Sequence, residues 1–121
     1  MNHRNLNKGK LGETLAADYL SHKGYRIIFR NFKIRYGEID LIATHKNCLI
    51  FIEVKTRLSS TYGTPEDAIT SWKLKSLVRA IQYFKLLHPE LPEALQIDMV
   101  AVELDYNEKL TRIQHYSNIS G

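Results

Sequence analysis

The sequence predicts a mixed α/β domain, a mixed sheet flanked by helices in the order α-β-β-β-α-β-β. Three observations predict it. Two segments carry apolar residues at helical spacing, five short runs are rich in β-branched and aromatic residues, and turn-forming residues separate them. A chain of 121 residues fits a single domain spanning 1–121, with a modest core.

The elements follow in order. Residues 8–23, KGKLGETLAADYLSHK, put Leu11, Leu15, Ala16, Tyr19 and Leu20 on one side of a helix, and Gly24 is a natural stop. YRIIFRNFKI (25–34) has strand composition, and RYG turns the chain into GEIDLIATHKNCLIFIEVKTR (37–57), two strands around a short polar turn. SSTYGTP (59–65) is a loop, with Pro65 suited to a helix's first position. A second helix is expected from Glu66 or Ser71 to Leu87, with a stripe of Leu74, Leu77, Val78, Ile81 and Phe84. A loop (88–95), a strand (96–104), a turn (105–108) and a last strand (109–116) complete the chain.

Composition excludes several classes. The apolar runs are far shorter than the roughly 20 residues that span a bilayer, and the opening MNHRNLNKGK is not a signal-peptide pattern. One cysteine forms no internal disulfide, so a cytoplasmic protein with no membrane partner is expected. The five histidines lack zinc-ligand spacing. The net charge of +4 is uneven: residues 1–60 hold 11 Lys/Arg against 5 Asp/Glu, and residues 61–121 hold 6 against 8. The first half is the expected face for a polyanion.

The strand pair carries charges inside the best β-forming sequence. Alternation puts Glu53, Lys55 and Arg57 on one face. A turn centred on Lys46 and Asn47 places Asp40 opposite Glu53 and Glu38 opposite Lys55, where Glu38 can hold the lysine, join the acidic cluster or form a simple cross-strand pair; a three- or five-residue loop would slide that register by one. Two adjacent carboxylates repel each other unless a cation lies between them, and a hard divalent ion suits such a pair. An ion there would activate water and polarise a phosphoryl oxygen, with Lys55 orienting the water or offsetting phosphate charge. The competing account is an ordinary solvated sheet face with cross-strand Glu–Lys pairs. Glu13 lies at the margin of the first helix's apolar stripe, where it can look toward the site or simply face water.

GEIDLIA followed by FIEVKTR, with GKLGETLAADYL and GYRIIFRNFK before them and TPEDAITSWKLKSLVRAIQYF and IDMVAVEL after, resembles the YraN-like family of small bacterial proteins over nearly the whole chain. The Asp…Glu-x-Lys core also resembles the PD-(D/E)xK nucleases, and archaeal Holliday-junction resolvases, with a similarly placed helix glutamate, are a close analogy. The resemblance implies a restriction-endonuclease-like fold. It makes Asp40 and Glu53 ligands for Mg²⁺ or Mn²⁺, Lys55 the catalytic lysine, and Glu13 the glutamate that completes the acidic site. Ile39 stands where the named motif has proline. The implied activity is metal-dependent hydrolysis of phosphodiester bonds in DNA, at branched or flapped structures, by a homodimer. The alternatives are a non-catalytic nucleic-acid-binding module and an adaptor of a DNA-processing complex; an RNA substrate stays open.

Surrounding residues add candidate phosphate contacts. Arg57 follows Lys55 on the same face. Arg30, Lys33 and Arg35 make the first strand and its exit basic, and Lys75 and Arg79 share one side of the second helix. Phe29 and Phe32 cannot share a face of a regular strand, so at least one is expected in the core. Trp72 is expected to pack, Tyr36 to stack on bases or pack, the loop from 58 to 64 to close over substrate, and Asp98 to form structural hydrogen bonds.

Overall fold

The computed structural model describes residues 3–35, 37–58 and 71–119, with the starts of the two helices, 3–7 and 71–73, described as backbone only. Tyr36, the Trp72 side chain and the loop from 59 through Pro65 lie outside the described residues. The elements are α1 (His3–His22), β1 (Arg26–Ile34), β2 (Gly37–His45), β3 (Cys48–Leu58), α2 (Ser71–Leu87), β4 (Leu95–Leu104) and β5 (Leu110–Tyr116). The order is the expected α-β-β-β-α-β-β, with α1 starting earlier than Lys8. The sheet runs β1-β2-β3-β4-β5 in space. Only β3 and β4 are parallel, and α2 lies in the crossover between them, as a parallel connection requires.

The two helices cover opposite faces. Ala16, Ala17 and Leu20 of α1 pack with Leu41, Ala43, Ile50, Ile52, Val100 and Val102. Leu77, Ala80, Ile81 and Phe84 of α2 pack with Ile39, Ile42, Leu49, Phe51 and Ile97. Both faces being covered explains the nearly continuous apolar sequence of β3 and β4. Val78, expected in the α2 stripe, is 40% exposed, and Ala80 takes the buried position instead.

Glycines set how close the helices come. Gly24, at φ 94°, ends α1: Tyr25 N–H donates to Leu20 O and Gly24 N–H to Ser21 O, both at 3.0 Å, the paired bonds of a Schellman cap. A Cβ on Gly12 would collide with Thr56 of β3, and one on Gly37 would lie 2.6 Å from the Ser76 carbonyl of α2. The two contacts bring Glu13 of α1 and the first turns of α2 to the same end of the sheet.

The β2–β3 hairpin turns at Lys46 and Asn47, both left-handed at φ 49° and 61°, as a two-residue hairpin loop demands. The register follows the expected offset from His45–Cys48 to Leu41–Ile52. It stops there. Glu38 pairs with Lys33 of β1 rather than with Lys55, because β3 leaves β2 at Glu53 while continuing beside β4 as far as Leu58.

Alternation is also lost at this point. Leu41 and Ala43 belong to the α1 layer and Ile42 to the α2 layer, but Ile39 joins Ile42. In β1, Phe29 and Phe32 both pack edge-on against Phe84, with ring centroids 5.3 and 5.1 Å away, although a regular strand would part them. The ladder nevertheless keeps one offset through Phe29–Ile42, Arg30–Leu41 and Phe32–Ile39. Between Phe29 and Phe32 the ribbon is therefore rotated without an inserted residue, the register shift of this pair falling earlier, between Ile27 and Phe29, and Asn31, between Arg30 and Phe32, has a φ of 53°.

A buried polar cluster lies elsewhere in the α1 layer. Asp98, 0% exposed, accepts bonds from Tyr25 Oη (2.9 Å), Gln96 Nε2 (2.9 Å) and Asn118 N (2.8 Å), and His115 Nε2 lies at 2.7 Å. Lys23 Nζ is 2.7 Å from His115 Nδ1. An ammonium only donates, so Nδ1 accepts and Nε2–H donates to Asp98. Asp98 has the structural hydrogen bonds expected of it.

Candidate metal and nucleic-acid site

The site forms where the β2–β3 ladder ends. In place of a cross-strand carbonyl, the Asp40 side chain reaches across the fork, and its Oδ2 accepts the Val54 N–H at 2.8 Å. Glu53, 4% exposed, lies at the same fork and hydrogen-bonds with Asp40. Glu13 comes in from α1 and Glu38 from the start of β2. Carboxylate oxygens of Glu13, Glu38 and Asp40 all lie within 4.8 Å of one another. Ile39, where the nuclease motif has proline, is fully buried against α2, so this position serves the core while its neighbours serve the cleft.

Electrostatics follow from this crowding. Burial, then the Glu53 charge, push the Asp40 carboxyl up to about 8, against a smaller lowering by the Val54 bond. Glu13 is also raised, by burial and by the charge of Glu38, while a hydrogen bond from the Asn31 side chain and the charge of Arg30 work the other way. The donor set fits Mg²⁺ or Mn²⁺: hard carboxylate oxygens from separate elements converge, and their repulsion is what a dication relieves.

An open cleft of about 960 Å³ surrounds the acids. Glu13, Glu38, Asp40, Glu53 and Lys55 line it, and Lys8, Lys33, Arg35, Lys75 and Arg79 supply a basic rim. The structure thus gathers every residue expected to be catalytic and four of the six expected phosphate contacts. Arg30 and Arg57 do not line the cleft. Arg30 still acts on Glu13 through its charge, whereas Arg57 lies farther along β3 opposite Glu103 of β4.

Sequence reasoning left the role of Glu38 open and missed Lys8 and Asn31. Lys8 reads as a polar helix start, and only the packing of α1 at Gly12 brings it to the rim. Glu38 reads either as a partner for Lys55 or as a member of the acidic cluster, and its place beside Glu13 and Asp40 is decided by the end of the β2–β3 ladder at Leu41–Ile52. Asn31 carries a signal of its own, since Asn is among the few residues that tolerate a left-handed backbone, but a lone Asn in a strand is too common to single out.

The fold and cleft together define a small mixed α/β domain with an acidic, base-rimmed site at the open end of a β-hairpin. The chain belongs to the uncharacterised protein family UPF0102, whose model matches residues 12–102, a span that includes Glu13, Asp40, Glu53 and Lys55. A UPF0102 protein of Caldanaerobacter subterraneus subsp. tengcongensis is 41% identical over 112 residues, covering 91% of each chain. One from Syntrophomonas wolfei is 41% identical over 115 residues, covering 94% of this chain and 97% of its own. One from Clostridium botulinum is 37% identical over 118 residues, covering 93% and 96%. The relatives therefore match in length as well as sequence. Among the described residues no helix is long and apolar enough to cross a membrane.

Proposed function

We propose that this protein is a metal-dependent nuclease that hydrolyses phosphodiester bonds in DNA, with branched or flapped structures as its preferred substrates and a homodimer as its working form. The observation that carries the reading is the carboxylate cluster of Glu13, Glu38 and Asp40 at the fork, with Glu53 against Asp40 and Lys55 in the same cleft. The Asp…Glu-x-Lys arrangement of the PD-(D/E)xK nucleases supports it. The choice of branched DNA and of a dimer rests on analogy with the resolvases.

Each part of the site has a task. Asp40 and Glu53, with Glu13 and Glu38 beside them, hold Mg²⁺ or Mn²⁺; when bound, the ion polarises the phosphoryl oxygen and makes a water more acidic. Asp40 is fixed for this by the Val54 N–H, which engages one oxygen. Lys55 orients the attacking water and offsets charge that develops on the phosphorane oxygens. Lys8, Lys33, Arg35, Lys75 and Arg79 at the rim bind flanking phosphates. A negative floor inside a positive rim suits a polyanion that arrives with a dication at one phosphate.

The test is cleavage of labelled single-stranded, duplex, flap and four-way-junction DNA in Mg²⁺ and in Mn²⁺, with EDTA as control. The expected result is metal-dependent product that vanishes in both Asp40→Ala and Lys55→Ala. Absence of cleavage across the panel, or cleavage that survives both substitutions, sinks the reading. Salt-sensitive DNA affinity that persists without cleavage and tightens in Asp40→Ala would instead identify a non-catalytic binding module.

A further inference from the structure

The geometry points to Asn31 as the positioning residue of this site: its left-handed backbone rotates the β1–β2 ribbon so that Glu38 and Asp40 face α1, and its side-chain amide holds Glu13 against them. The consequence for catalysis rests on the nuclease reading, whereas the positioning itself rests on separate observations.

Asn31 lies opposite Asp40, bracketed by the Arg30–Leu41 and Phe32–Ile39 pairs. Its φ of 53° is rare inside a strand, and it falls where both strands lose a step of alternation with no residue inserted. Phe32 and Ile34 pack on the α2 layer, whereas the Asn31 side chain interacts with Glu13 of α1 on the other face. There its amide hydrogen-bonds the Glu13 carboxylate. The side chain is exposed, so core packing does not select it.

The residue type fits the task. Glu13, Glu38 and Asp40 bring three carboxylates within 4.8 Å, and Glu13 is the one on a long side chain from another element. A lysine anchor would hold Glu13 but neutralise it. An amide donates to one oxygen and leaves the charge for a cation, the same division of labour by which hydrogen-bond partners orient the ligands of metal sites. Asn also tolerates the left-handed backbone, so one residue meets both demands.

The experiment is Mn²⁺ titration calorimetry on the full chain in four forms: wild type, Asn31→Gly, Glu13→Gln and the double variant. Glycine keeps the left-handed backbone and removes only the amide. The expected result is a native far-UV spectrum, Mn²⁺ affinity about tenfold weaker in Asn31→Gly, and no added effect of that change in the Glu13→Gln background. Wild-type affinity in Asn31→Gly, or the same loss with Glu13 already replaced, overturns the inference. A wild type that binds no Mn²⁺ at millimolar concentration overturns it together with the nuclease reading; the expected coupling without DNA cleavage sustains it while that reading falls. If Asn31→Gly does not fold, the Asn31 side-chain amide resonance decides: it must shift in Glu13→Gln, and an unmoved resonance overturns the inference.

Discussion

Asp98 and Asp40 are carboxylates at strand positions of one small sheet, the first fully buried and the second half-buried, and burial raises the cost of charge at each. Their outcomes are opposite. Burial at Asp98 is outweighed by bonds from His115, Asn118, Tyr25 and Gln96, and its carboxyl is held below the ordinary value of 3.8. Asp40 has the Val54 N–H, but the Glu53 and Glu13 charges add to burial and drive it to about 8. The lesson is that partners, not depth, decide what a buried charge is for. Asp98 is ionised and satisfied, so it ties the segment that follows α1 to β4, β5 and the C-terminal segment. Asp40 is set among its own kind, a high-energy arrangement that a bound cation would relax.

The largest expected effect tests the satisfied member. Asp98→Ala leaves the Tyr25 hydroxyl, the His115 ring N–H and the Asn118 N–H without their acceptor in the α1 layer, and breaking such a buried cluster costs about 3–5 kcal/mol. Urea unfolding measures it. A loss below about 1 kcal/mol, the scale of one ordinary hydrogen bond, would mean that the cluster is not the anchor described.

The same kind of change at Asp40 should have the opposite sign. Asp40→Asn keeps an oxygen for the Val54 N–H while removing one charge, so without divalent metal it should stabilise the protein at pH 8 by on the order of 1–3 kcal/mol and abolish cleavage. Destabilisation in urea at that pH would show that the acids are satisfied by contacts other than a cation.

Titration sharpens the contrast. A carboxyl raised from 3.8 to about 8 contributes stability that is fully present below 3.8 and is lost as pH rises through 8. Asp98, whose carboxyl is lowered, contributes stability that is present above 3.8 and lost as pH falls through its folded value. Melting temperature in EDTA should therefore decline between pH 5 and pH 8, and Mg²⁺ or Asp40→Asn should flatten that decline. A wild-type curve that stays flat in EDTA would remove the electrostatic argument for a cation site.

The two centres were unequally legible in the sequence. The fold could be read because each element declares itself locally: Gly24 stops α1, Lys46-Asn47 sets the hairpin offset, and Ser71 to Leu87 has helical spacing. Asp40, Glu53 and Lys55 could be singled out because charges interrupt apolar strands. The site's completion could not. That Glu38 turns to Glu13 and Asp40 instead of Lys55 depends on where β3 parts from β2, a tertiary event with no residue type of its own. The shared face of Phe29 and Phe32 arises in an irregular stretch of β1, with a register shift beside Phe29 and a left-handed φ at Asn31. Asp98 was recognisable as a bonded strand acid, but its donors are scattered from residue 25 to residue 118, and only folding brings them to one carboxylate.

The smallest effect separates the centres most cleanly. Tyr25→Phe removes one donor to Asp98 and leaves His115, Gln96 and Asn118 in place. The ring keeps its burial in the α1 layer and its stacking on His45 at a centroid distance of 4.4 Å. The carboxylate loses one bond of four, so the cost should be about 1–1.5 kcal/mol, well short of that for Asp98→Ala. The burial that moves the Tyr25 hydroxyl to about 12, with the Asp98 bond as the next cause, keeps it a proton donor throughout the working pH range. The loss should therefore be the same at pH 5 and pH 8, unlike that of any variant in the Asp40 cluster. Mn²⁺ affinity and cleavage should match wild type, because Tyr25 does not line the acidic cleft. A change in metal affinity in Tyr25→Phe would join the two centres energetically, and the division into one structural acid and one functional acid would no longer hold.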